Sequence, residues 1–304
     1  MKCFSRWIKN KGISFETYFL PFAQLLLENL SHSPLHLVID GSTVGRECMV
    51  LMVGVVYKKR ALPIAWTVAK RKKGHFPENI HMELISRVEK MIPEETQVIL
   101  LGDGEFDGID LQALVNGWKW RYVFRTGKNI ILCWNGKEFA FDAVADHVQP
   151  DEYFEIPDAL FTNIRYGPVF VLTWWRKDCK EPIHLVSNMN CPENVCRSYA
   201  KRFRIETFFS DQKGRGFHLN KSHLSDPNRI SKLLIAACLA YYWVIYLGAS
   251  AIRSGRHHII HRTDRCDLSL FQLGLRLLEY LIDEDMPIPT ELHRLQSPLE
   301  KSVR

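Results

Sequence analysis

Two short apolar runs, LHLVID (35–40) and QVILLGD (97–103), constrain the fold of this chain more than any other feature. Each is short for a helix, nearly free of polar alternation, and ends in an aspartate. Runs of this kind read as strands buried on both faces. If the two lie parallel and adjacent, strand spacing brings Asp40 and Asp103 together at the sheet edge where open α/β sheets bind ligands. Neighbouring carboxylates repel, and a bound divalent cation is the usual reason to juxtapose them. Taken singly, each acid also reads as the start of a turn, in DGS and DGEFDG.

The surrounding pattern supplies the rest of a sheet. Residues 14–30 (SFETYFLPFAQLLLENL) read as helix with a break or kink at Pro21. CMVLMVGVV (48–56) and ALPIAWTVA (61–69) are β-rich runs joined by the polar YKKR. An amphipathic helix over 78–92, the run ending at Asp103, a short helix over 110–118 and a strand over 121–126 follow. This order predicts three antiparallel strands, then parallel strands returned by helical crossovers. From 129 to about 190 the texture turns β-rich, with Asn135-Gly136 marking a hairpin. Helical periodicity resumes near 192 and continues through DLSLFQLGLRLLEYLI (267–282). The expected organisation is a helical segment over 1–34, a core over 35–128, a β-rich insertion over 129–190, and a second core part with C-terminal helices over 191–304.

Composition narrows the class. A chain of 304 residues, 46% apolar and 24% charged, can bury a sizeable core. Its formal charge of +6 is compatible with a polyanionic partner without demanding one. None of the eight cysteines forms a C-x-x-C pair, and the N-terminus shows no signal-peptide apolar region, so free thiols and a cytoplasmic location are expected. Cys179, Cys191, Cys196 and His184 fit no zinc-binding spacing. Leu233 to Ile252 runs twenty residues without a charge, the length of a bilayer span. A helix buried all round reads the same way, and is the reading adopted, with no membrane partner.

The stretch YAKRFRIETFFSDQKGRGFHL (199–219) surrounds Glu206 with cations. At about 100° per residue, Tyr199, Arg202, Glu206 and Lys213 fall within an arc of about 60°, so one helix face carries all four. Glu206 is then a candidate third metal ligand beside Asp40 and Asp103, with cations placed for phosphates. The blander reading is a solvated face with an i,i+4 Arg–Glu pair contributing about 0.3–0.5 kcal/mol.

The spacing Tyr199-x2-Arg202-x3-Glu206-x6-Lys213 resembles the Y-x2-R-x3-E-x6-K signature of insertion-sequence DDE transposases of the IS-four type. LVIDGS around Asp40 resembles the first catalytic-aspartate motif of that family, and LLGDGEFDG around Asp103, with Phe106, the second. The resemblance covers roughly residues 35–282. It implies an α/β fold with a ribonuclease H-like mixed sheet flanked by helices and a β-rich insertion before the helix carrying the third acid. It implies that Asp40, Asp103 and Glu206 are catalytic and bind Mg²⁺, with Mn²⁺ able to substitute, for cut-and-paste strand cleavage and strand transfer. Tyr199, Arg202 and Lys213 would be DNA contacts. The implied partners are double-stranded DNA, at terminal inverted repeats and at a target, and a second copy of the chain. Relatives that form a hairpin hold a flipped base on an aromatic residue of the insertion, often a Trp after Glu-Pro. Here Ile183 follows Glu181-Pro182, and Trp174 and Trp175 are the candidates. Lys70 to Lys73 form a further basic run. Only 39 residues precede Asp40, where relatives carry a DNA-binding region. The alternative expectation is therefore an N-terminally truncated, non-productive derivative that binds DNA or full-length subunits without end-specific cleavage.

Overall fold

The computed structural model describes residues 2–72, 74–262 and 267–289, with side chains from Ser5 onward. Three helices lead in: α1 (Lys2–Lys9), α2 (Phe15–Tyr18) and α3 (Leu20–Leu30). The helical run expected over 14–30 breaks at Phe19 rather than kinking at Pro21. Ser14 caps α2 by accepting the Thr17 N–H, and Pro21 sits in the first turn of α3, where its missing N–H forfeits no bond.

The apolar runs pair as their order predicts. Strands β1 (Leu35–Val44), β2 (Cys48–Tyr57) and β3 (Arg60–Lys70) form an antiparallel meander. The first eight residues of β2 are all buried, because helices and loops cover both faces of the sheet here. Helix α4 (Glu78–Glu89) returns the chain to β4 (Val98–Gly102), which runs parallel to β1 with Leu35 opposite Val98 and Val38 opposite Leu101. Helix α5 (Ile109–Gly117) then leads to β5 (Arg121–Thr126), parallel to β4. The order β3-β2-β1-β4-β5, with β2 the antiparallel member, is the ribonuclease H-like arrangement.

The β-rich stretch begins with β6 (Ile131–Trp134) and β7 (Lys137–Ala140), closed at Asn135-Gly136 with both residues at positive φ, as a type I′ turn requires. Then come β8 (Tyr153–Phe161), β9 (Tyr166–Trp174) and β10 (Ile183–Ser187). Strand β10 pairs antiparallel with β5, His184 opposite Thr126 and Ser187 opposite Val123. The insertion therefore extends the core sheet, giving ten strands in the order β3-β2-β1-β4-β5-β10-β9-β8-β6-β7.

Helices α6 (Pro192–Tyr199) and α7 (Arg204–Gln212) follow. The unbroken helix face expected from Tyr199 to Lys213 is corrected here. Residues 200–203 form a tight turn, with the N–H of Arg202 bonded to Tyr199 O (2.9 Å), Arg204 to Lys201 O (3.2 Å) and Ile205 to Arg202 O (3.2 Å). The cause lies in the burial pattern: Tyr199, Arg202, Ile205 and Phe208 are all buried and recur every third residue. A local 3₁₀ geometry keeps such a series on one side, whereas an α-helix would carry it around. Helix α7 ends at Gln212, just before Gly214 and Gly216.

The charge-free run lies in α8 (Pro227–Arg253), long and apolar enough to cross a membrane, with half of its most apolar stretch buried inside the protein. Asp226 caps it by accepting the Arg229 N–H at 2.8 Å. Trp66 donates from its indole to Ser231 Oγ (3.0 Å), and the Tyr242 hydroxyl donates to Pro63 O (2.7 Å), so α8 is tied across β3. After α9 (His257–Ile260), α10 (Leu270–Asp283) crosses α8 at close range. A Cβ at Gly274 would stand 1.9 Å from Val244 O, so only glycine admits this approach.

Candidate active site

The pairing of β1 with β4 brings the two aspartates together. Two residues beyond Val38 and Leu101, Asp40 and Asp103 stand level at the carboxyl edge of the parallel strands. Asp40 Oδ1 accepts the Gly41 N–H (2.7 Å), and Asp103 Oδ1 accepts the Glu105 N–H (3.0 Å). The turn after Asp103 depends on glycine: a Cβ at Gly102 would stand 2.7 Å from the Cβ of fully buried Phe106. The phenylalanine of the second motif thus plugs the core beneath the acid.

Glu206 enters from the first turn of α7, with 54% of its side chain exposed. Arg202 stands four residues earlier, on the tight turn, only 7% exposed. Its Nη1 donates to Glu206 Oε1, and its Nη2 donates to Asp103 Oδ2 at 3.2 Å and lies 3.6 Å from Asp40 Oδ2. One guanidinium therefore holds all three acids that the sequence singles out. Its Nε is buried without a hydrogen-bond partner. Burial pushes the Asp40 carboxyl up to about 7, outweighing the pull of Arg202, with Asp103 and Glu206 adding repulsion. Burial works against the Arg202 charge too, yet Asp40, Tyr199, Asp103 and Glu206 together raise it.

Among the described residues no three His, Cys, Asp or Glu side chains converge closely enough to hold a metal as they stand, neither these acids nor Cys179, Cys191, Cys196 and His184. At the acidic site the reason is visible: the carboxylates are spread around a guanidinium. Their chemistry nevertheless suits a hard divalent cation, which takes carboxylate oxygens, and the arginine already marks a point where positive charge is stabilised.

The other singled-out residues take varied positions. Tyr199 is 1% exposed, its ring edge-on to Phe203 at 5.9 Å and its hydroxyl pushed up to about 12 by burial. It lies in a wall of the site rather than on an open DNA-facing surface. Lys213 follows the last residue of α7 and reaches back to β1, its Nζ donating to Ser42 Oγ (2.7 Å) and Thr43 Oγ1 (3.2 Å). Burial lowers its pKa, against the attraction of Asp40. A cleft of about 680 Å³ opens beside Asp103, Arg202 and Glu206, bounded by the end of β5 and by the β9–β10 turn. Trp175 lines it and donates its indole N–H to Cys179 O (3.1 Å). Trp174 is absent from the lining and packs its ring beneath the Arg176 guanidinium (5.7 Å). In the basic run, Lys72 pairs with Glu47 at the surface (3.4 Å), and Lys73 lies outside the described residues.

Sequence reading passed over Glu105, the middle acid of DGEFDG. It is 9% exposed and accepts the Phe76 N–H (2.5 Å), His81 Nε2 (3.2 Å) and His75 Nδ1 (3.0 Å). Burial alone would raise its pKa, but these hydrogen bonds hold it below the ordinary value. Its only sequence signal was a third acid in a motif that already read as a turn.

The family model of the transposase DDE domain matches residues 32–243. No protein of curated function matches at sequence level. Among solved structures, a piggyBac transposase synaptic complex with hairpin DNA is similar at TM-score 0.48 and 13% identity. That likeness covers 91% of this chain and 61% of the other, so this chain spans about three fifths of that transposase. Endonuclease V of Ciona intestinalis, bound to a DNA containing inosine, is similar at TM-score 0.33 and 12% identity, over 60% of this chain and 86% of that one. The catalytic domain of human endonuclease V gives TM-score 0.34 and 11% identity, over 73% and 96%. The domain match takes in Asp40, Asp103 and Glu206 and more than half of the sequence, and the chain belongs to the transposase DDE domain family.

Proposed function

We propose that this protein is an IS-four-type transposase that cleaves DNA strands at the ends of an insertion sequence and joins the freed 3′-ends to target DNA. The observation that carries the reading is the convergence of Asp40, Asp103 and Glu206 on a single cation at the carboxyl edge of two parallel strands. The cofactor is Mg²⁺, with Mn²⁺ able to substitute, held by these three acids. When bound, the metal supplies the charge that activates the attacking oxygen and stabilises the leaving one.

The chain's own residues do the rest. Arg202, relieved of the acids, offers a planar pair of donors to a phosphate. Lys213, held by Ser42 and Thr43 just beyond Asp40, offers a second cation to the backbone. Tyr199 presents its ring to Phe203 and supports the turn that carries Arg202. Contacts of this sort position a duplex and do not read its sequence. The cleft lined by Trp175 has room for one displaced base, stacked on the indole. The partners are double-stranded DNA, at terminal repeats and target, and a second copy of the chain, in the bacterial cytoplasm. Residues 35–128 and 191–289 serve as the catalytic core, the remainder of the expected 191–304 part lying outside the described residues, and 129–190 form the far wall of the cleft.

The test is cleavage of a plasmid carrying the DNA that flanks the gene, with Mg²⁺, Mn²⁺ or EDTA, using wild-type and Asp103→Asn proteins. Metal-dependent cuts at the element boundaries, absent in the variant, are expected. DNA binding without cuts would overturn the proposal in favour of a non-productive derivative.

A further inference from the structure

Glu105 takes no part in the function proposed above, yet it is the most completely bonded acid near the site. Its carboxylate gathers three donors from the segment between β3 and α4 and from α4 itself: the His75 ring, the Phe76 N–H and the His81 ring. Its own N–H donates to Asp103 Oδ1 at 3.0 Å. With Oδ1 engaged there, Asp103 Oδ2 faces Arg202. Gly41, the residue after Asp40, lies against the same group: a Cβ built on it would stand 3.8 Å from Glu105 Oε2 and 3.8 Å from the Phe76 ring. One partly buried carboxylate therefore lies close to the backbone beside both aspartates.

A purely structural link between α4 and this turn would not call for a charge. Burying a carboxylate is unfavourable unless every lone pair finds a donor, and an apolar side chain fills such a space at lower cost. What the charge adds is direction. Three donors fix the side chain of Glu105, the side chain fixes its peptide, and the peptide N–H fixes which oxygen of Asp103 faces the site. We infer that Glu105 is a positioning residue that orients Asp103 for metal binding. The inference rests on the proposed metal-binding role of Asp103. Residues that orient a metal ligand in this way, when changed, typically weaken metal affinity or activity ten- to a hundredfold.

The test uses the full chain carrying Glu105→Gln, nearly isosteric but unable to accept from all three donors at both oxygens. Mn²⁺ binding without DNA is read by the electron paramagnetic resonance of the free ion, and steady-state cleavage is read across DNA concentrations. We expect Mn²⁺ affinity to fall by roughly tenfold and kcat by roughly ten- to a hundredfold, with KM for DNA unchanged. His75→Ala removes only the exposed donor and keeps the fold. It should shift both readouts in the same direction by a smaller factor, which preserves the test if Glu105→Gln does not fold. Glu78→Ala is the control. Glu78 accepts the Leu111 N–H at the start of α5 (2.9 Å) and does not touch Asp103, so its loss should lower the melting temperature and leave Mn²⁺ affinity alone. Wild-type Mn²⁺ affinity and kcat in Glu105→Gln, or in a folded His75→Ala if that is the variant obtained, would overturn the inference. Wild-type protein that fails to cut DNA would overturn the transposase proposal instead, while the Mn²⁺ titration still decides on Glu105.

Discussion

Two arginines of this molecule, one buried and one partly buried, hold carboxylates in opposite ways. Arg60, on β3, donates from Nη1 to Asp211 Oδ2 of α7 at 3.0 Å and to the Tyr241 hydroxyl of α8 at 3.2 Å. One cation meets one anion, 1% exposed, and the pair joins three elements. Arg202 meets three anions, and its Nε meets nothing. The first arrangement is balanced in charge and suits a place that never changes. The second leaves negative charge in excess wherever all three acids ionise. Such an excess weakens a fold unless something positive arrives to offset it.

Breaking either cluster should therefore give different results. The largest effect is expected from Glu206→Gln, which should reduce strand cleavage to background while DNA affinity by gel shift stays intact or improves; cleavage at the wild-type rate would remove Glu206 from the catalytic set. Next, Arg60→Ala should destabilise the protein by about 3–5 kcal/mol, because it strands the Asp211 charge in the core. Urea unfolding measures this, and a loss no larger than that of Arg202→Gln would erase the distinction between the two clusters.

Asp40→Asn should do the reverse and stabilise. The carboxyl is raised from 3.8 to about 7 in the fold, so the native state binds more protons than the unfolded chain between those values. Stability from this group is thus fully present at low pH and is lost as pH rises toward 7 and beyond. In EDTA at pH 8 the asparagine variant should exceed wild type by about 4 kcal/mol, an advantage that vanishes near pH 4. Equal melting curves at pH 8 would show that Asp40 ionises freely. The smallest effect belongs to Lys213→Ala, which should lower the slope of log affinity against log salt by about one unit. An unchanged slope would exclude Lys213 from the phosphate contacts.

Much of the core was legible because its signals are local. The apolar runs before Asp40 and Asp103 are short, continuous and separated by a periodic helix, and they allow few arrangements other than adjacent parallel strands. The hairpin at Asn135-Gly136 carries its turn type in its residues. What stayed hidden depends on partners distant in sequence. Nothing near β5 announces that β10, some sixty residues on, will pair with its free edge. The tight turn at 200–203 was concealed by assuming 3.6 residues per turn, although the three-residue spacing of Tyr199, Arg202, Ile205 and Phe208 was present to be counted. That turn is what aims Arg202 at the acids. Glu105 was illegible for another reason: DGEFDG satisfies the requirements of a turn whether or not its middle acid does anything.

The pairing of β10 with β5 has a mechanical consequence. The run leading to Asp103, β4, is laddered to β5, β5 to β10, and β10 to β9, so the strand-borne side of the cleft belongs to one hydrogen-bonded plate, faced by Arg202 and Glu206 from the turn before α7 and from α7. A jaw that shuts about a flexible joint is foreign to such a construction. The cleft is instead a jig, the separation of these strand-borne surfaces being set by strand pairing.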